Sequence, residues 1–280
     1  MKKRILSLIL ALSMVLSVLP LGAFAEGSTQ ELVMGATGYP VGTKGDGWEY
    51  SNGTLILEQG GFDFSSTHPQ GGGEKTTTPV ACAIEIEPDA KITGGTFAAS
   101  VTNDGIISGG AFSGEYSAVD NQSRGAISGG TFKILVRNNS GTISDGTFEA
   151  NVENYGTGII SGGTFTGNTS NNNIVYNEAT ISGGTFKEKV QNNDGTISGG
   201  TFSGTVQNAE GMISGGTFKE KVENTGGTIA GGVFNGVTTP KPTKDAYTIT
   251  LDTVNARITE VNDVSVDELG NENFYVYAGT

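Results

Sequence analysis

Asp120, Arg137 and Glu153 stand 17 and 16 residues apart, each between a valine and an asparagine. The full series at that position reads Thr102, Asp120, Arg137, Glu153, Tyr176, Gln191, Gln207 and Glu223. If each interval is one turn of a coil, these side chains form an outward column with about 4.8 Å per step. Asp120 and Glu153 then lie roughly 9.6 Å apart, near the upper edge of the spacing an inverting glycosidase uses. Arg137 between them holds both carboxylates ionised, which removes the general acid such a mechanism needs. Two non-catalytic chemistries fit the column. One is a surface ladder of alternating charge. The other is a sugar-binding strip on which Tyr176 stacks, with Tyr116 and Tyr155 as further aromatic contacts in or beside variable segments.

The remaining reactive residues carry less. Cys82 is the sole cysteine, so no internal disulfide forms, and it alternates with Ile84 and Ile86 as a buried strand residue does. His68 is the sole histidine and has no partner for a zinc site. Asp104, Asp145 and Asp194 fall at different offsets and form no cluster of the kind that holds calcium in acidic-polysaccharide lyases. The Lys-Glu-Lys runs at 187–189 and 219–221 share one offset and read as solvated turns. Threonines precede phenylalanine in seven repeats, as on any β surface, and lack the second regular column an ice-binding face needs. The Gly-Gly pairs lack a following Lys-Ser/Thr and lead into strands, so they are not phosphate loops. No metal or other cofactor is expected.

What positions the column is a repeat. Isoleucine stands at 92, 107, 127, 143, 160, 181, 197, 213 and 229, and phenylalanine follows five residues after each. Valine and, two residues on, asparagine occupy all eight gaps between the copies. The best-preserved ladders are Ile181, Ile197, Ile213; Phe186, Phe202, Phe218; Val190, Val206, Val222; and Asn192, Asn208, Asn224. A short fixed period predicts a solenoid. Valine and asparagine share parity and point inward from one strand, whereas isoleucine and phenylalanine do so only if the chain bends between them. The intervening glycines supply that bend, and stacked asparagines satisfy one another's amides. Glycine pairs and β-branched residues in every copy exclude a helix. The predicted fold is all-β: a single-stranded parallel β-helix of about nine coils of roughly 16 residues, with an N-terminal β cap and a partial C-terminal β module.

The ends complete the organisation. Lys2-Lys3-Arg4, an apolar run to Leu21 and Ala23-Phe24-Ala25 make residues 1–25 a secretory signal peptide. Residues 26–90 read as the cap with its first irregular coils, including a hairpin turn at Asn52-Gly53. Residues 91–237 are the solenoid, 238–245 a proline-bearing linker, and 246–280 the partial module. The formal charge is −13, and loss of the three leader cations makes it −16. Such a chain repels nucleic acid and anionic lipid and suits cations or neutral glycans.

The stretches "GWEYSNGTLIL", "ITGGTF", "TISGGTF" and the Val-x-Asn pairs resemble exported β-solenoid proteins of Gram-positive-type bacteria, over about residues 46–237. These carry labels such as right-handed parallel β-helix or carbohydrate-binding domain-containing protein. The segment "YTITLDTVNARITEVNDVSV" with "FYVYAGT" looks like the start of a small β module that follows such repeats. No LPxTG-type sorting signal is seen. The resemblance implies a secreted or cell-surface protein, structural or adhesive, contacting glycans or other cell-surface polymers without catalysis. The alternative is a polysaccharide-active lyase or glycosidase on the same scaffold.

Overall fold

The computed structural model describes residues 29–32, 34, 38–40, 43–64, 79–114, 118–167 and 174–234, with the backbone of 249–252, 257–261 and 264–265. Residues 1–25, the linker 238–245, His68 and Tyr116 lie outside the described residues. Among the described residues every regular element is a strand, and the strands stack in parallel as a β-solenoid.

The chain enters through β1 (Gln30–Glu31), β2 (Lys44–Gly45) and β3 (Trp48–Ser51), then two long strands, β4 (Thr54–Phe64) and β5 (Ala83–Phe97). β3 and β4 form an antiparallel hairpin across Asn52-Gly53. Both turn residues have positive φ, 51° and 82°, which is why asparagine and glycine stand there. β4 is at once the hairpin partner of β3 and the first parallel rung, pairing Leu55 with Ile84, Leu57 with Ile86 and Phe62 with Ile92. β1 lies beside β4 at Phe62 and Asp63. Together β1 and β3 occupy the open edge of the first rung, where an unpaired strand would invite association.

Beyond β5 each turn has three short segments. One carries the isoleucine, one the phenylalanine and one the Val-x-Asn triplet. Ile181, Ile197 and Ile213 pair in register, as do Phe186, Phe202 and Phe218, Val190, Val206 and Val222, and Asn192, Asn208 and Asn224. Nine isoleucine rungs, from Ile92 to Ile229, bound eight turns of chain. The bend between isoleucine and phenylalanine falls at the second glycine. Gly200, at φ 101°, is typical, and no side chain adopts that angle without strain. The bend turns both large residues inward.

The interior is a set of one-residue-wide columns. The isoleucines, phenylalanines and valines of the repeat are all buried, each contributing about 1.5–3 kcal/mol by leaving water. Consecutive phenylalanine rings from Phe97 to Phe234 lie nearly parallel, with centroids 4.5–4.9 Å apart. That spacing is the rung spacing, so backbone pairing and ring packing impose the same repeat. Below Phe97 the column ends on Phe64, set edge-on at 5.3 Å. Cys82 is buried beside this first core layer, and burial pushes its thiol up to about 11. At the other end Thr250 of Ile249–Asp252 pairs in parallel with Phe234. The strands 249–252, 257–261 and 264–265 then continue antiparallel.

Candidate functional site

Inside each turn the asparagine does structural work. Asn103, Asn121, Asn138, Asn154, Asn177, Asn192 and Asn208 are fully buried, and each Nδ2 donates to the Oδ1 of the asparagine on the next rung at 2.6–2.8 Å. From Asn121 onward the second amide hydrogen goes to a backbone carbonyl at the following corner, as from Asn192 to Gly195 at 3.0 Å. That corner position is glycine at 125, 141, 158, 195, 211 and 227, and alanine only at 179. A Cβ at Gly211 would collide with Nδ2 of Asn192. The reading of the sequence found the asparagine column but missed this glycine column. Its signal is the glycine that stands two residues before seven of the nine repeat isoleucines, with alanine before Ile92 and Ile181. Serines following the isoleucines form another unnoticed column, as Ser198 Oγ donates to the Ile181 carbonyl at 3.4 Å. These hydroxyls are engaged with the backbone.

Between valine and asparagine the side chains face out, and here the expected column is realised. Asp120, Arg137 and Glu153 are register partners on consecutive rungs, followed by Tyr176 over Glu153. The Arg137 guanidinium reaches Asp120 Oδ1 at 3.3 Å and, through Nε, Glu153 Oε2 at 3.3 Å. Both carboxylates are thus paired with one cation. Further along, Gln191 donates to Gln207 at 3.2 Å and Gln207 to Glu223 at 2.8 Å. Lys221 pairs with Glu223 at 3.0 Å. These hydrogen bonds and this ion pair hold the Glu223 carboxyl below the usual carboxylate range.

Tyr155 joins this face. Val152 and Asn154 point inward, so Glu153 and Tyr155 both point outward. The backbone N–H of Glu178 donates to the Asn154 carbonyl at 2.9 Å, which brings the corner residue Glu178 beside Tyr155. In this patch acid and phenol thus alternate along the chain at Glu153 and Tyr155 and at Tyr176 and Glu178, with Tyr176 over Glu153. Burial raises the Tyr155 hydroxyl above its ordinary value, with Glu153, Glu178 and Tyr176 adding to the shift and Arg137 opposing it. The phenol is a neutral donor at any physiological pH.

Beside the patch runs an acidic corner, with Asp194 and Glu210 each two residues after a column asparagine. The Glu210 N–H donates to the Asn193 carbonyl at 2.9 Å, which brings Glu210 over Asp194. Glu178, Asp194 and Glu210 are all exposed. Asp104, Asp145 and Asp194 lie at different positions on their turns, as their offsets predict. The lysines of the two Lys-Glu-Lys runs lie on the opposite border of the same strands, before the valines. Among the described residues no group of His, Cys, Asp and Glu has the arrangement of a metal site.

No protein-family model, no curated protein and no solved structure matches the chain, so the functional reading rests on the geometry of this face.

Proposed function

We propose that the protein is an exported, non-catalytic β-solenoid that serves as a rigid surface scaffold and contacts glycans along its Val-x-Asn face. The observation that carries this reading is the outward strip Asp120-Arg137-Glu153-Tyr176 with Tyr155 beside it. Aromatic rings beside fixed polar groups on a flat, regular backbone are what a sugar ring needs for stacking and directed hydrogen bonds. The basic-apolar-small leader supports export. The resemblance of the repeats to exported solenoids points the same way. A polysaccharide-active enzyme is disfavoured by Arg137, which ties up both carboxylates that the column offers for acid–base chemistry.

The test is binding of the purified, exported chain to a broad array of polysaccharides at physiological salt. Saturable binding, weakened by Tyr176→Ala or Arg137→Ala, supports the reading. A blank array assigns the rod a purely mechanical role.

A further inference from the structure

We infer that the alternating patch of Glu153, Tyr155, Tyr176 and Glu178 selects glycans that bear free amino groups, an inference that rests on the glycan-contacting reading above. The patch has two phenol rings and two carboxylates on adjacent outward positions. Neighbours along the stack are about 4.8 Å apart, and neighbours along the strand about 6.6 Å apart. An ammonium group placed between them meets an aromatic face and a carboxylate at once, two attractions that reinforce each other.

The charge around the patch favours the same ligand. Among the described residues Arg137 is the cation paired with the patch, and it is already shared between Asp120 and Glu153. Glu178 is exposed and has no ion pair among the described residues, and Asp194 and Glu210 stand on the next two turns, one position further along the corner. A uronate or phosphate polymer meets like charge here, within a chain whose formal charge is −13. A fully neutral glycan gains nothing from Glu178. A saccharide with protonated amines gains from every carboxylate around the patch. It also keeps the ring stacking that a simple polycation lacks.

The experiment compares glucosamine oligomers with their fully N-acetylated counterparts of equal length. Binding to the purified full chain is measured at pH 6, where amines and carboxylates are both charged. The amino form is expected to bind about tenfold more tightly, and Glu178→Gln to lose about that factor. Tyr155→Ala lowers affinity for the amino form, while Glu58→Gln, a remote exposed acid on the hairpin, changes nothing. Urea midpoints confirm that the variants are folded. Equal binding of both oligomers overturns the inference and leaves the glycan reading standing. Binding of neither overturns both. Binding of the amino form that is indifferent to Glu178→Gln and Tyr155→Ala also overturns it, because diffuse attraction to an acidic protein then explains the result.

Discussion

Asn192 donates its side-chain amide to Asn208 Oδ1 at 2.7 Å while accepting the same bond from Asn177 at 2.7 Å. Each asparagine from Asn121 to Asn208 is donor upward and acceptor downward, so the bonds polarise one another along the rod. The chain of bonds begins on Asn103, whose buried Oδ1 has no partner and whose register neighbour below is Ile86.

This polarity makes the asparagines unequal. Asn192→Ala leaves one Asn177 amide hydrogen and the Asn208 Oδ1 without partners in the interior, and is expected to cost on the order of 3 kcal/mol. Asn103→Leu only moves the unpaired oxygen up one rung to Asn121, and is expected to cost less than about 1 kcal/mol. Equilibrium urea unfolding of the two variants checks the contrast. Equal losses would contradict the directed column.

Phe202 lies between Phe186 and Phe218 with centroids 4.8 Å away on both sides and is fully buried. Phe202→Ala opens a cavity in the middle of the stack and is expected to destabilise by about 3–5 kcal/mol. Unfolding monitored by far-UV circular dichroism measures it. An unchanged midpoint would mean the phenylalanine column does not face the core.

The corner glycines offer a comparison of space with backbone angle. Gly53→Ala places a methyl in open space but at φ 82°, a strain of about 1–2 kcal/mol. Gly211→Ala meets the Asn192 amide and the Gly195 carbonyl with no room to shift, so it damages the asparagine column as well. The expected order of thermal stability is wild type, Gly53→Ala, then Gly211→Ala. Ala179 is tolerated at the equivalent corner because that corner is shorter, two residues after its asparagine.

Cys82 provides a pH signature. Burial raises its thiol from 9.0 to about 11, so the folded protein keeps the proton where the unfolded chain has lost it. The contribution to stability is complete below pH 9 and is lost as the pH rises towards 11. Stability measured between pH 8 and pH 11 should fall less steeply in Cys82→Ala than in the wild type. The native thiol should also react slowly with thiol-modifying reagents at pH 8.

Most of the architecture is legible in the residues because each rung repeats the same demands. Phe202 and Val206 must be buried, and the glycine bend before Phe202 follows from the parity of Ile197 and Phe202. The parallel β-solenoid stands as expected, and so does the placement of Asp120, Arg137, Glu153 and Tyr176 on consecutive rungs. What escaped the sequence was lateral. Tyr155 and Glu178 each directly follow a column asparagine, and Asp194 and Glu210 each stand two residues after one, so the offsets are countable; what counting does not give is which corner side chains reach the outward strip. Glycine stands at 211 because an amide occupies the space of a methyl there, which the sequence alone does not show. β4, within the cap and first irregular coils of 26–90, pairs through Leu55, Leu57 and Phe62 with the next strand as a parallel rung.

Because Ile, Phe, Val and Asn of one rung meet the same four residues on the next, any rung is a valid neighbour for any other. A duplicated or deleted 16-residue unit, as between Ile181, Ile197 and Ile213, leaves every junction intact. The reach of the rod is therefore a copy number, adjustable in steps of about 4.8 Å by unequal recombination between near-identical coding segments. Outward residues such as Tyr176 and Arg137 can meanwhile vary from copy to copy, so length and surface chemistry are inherited independently.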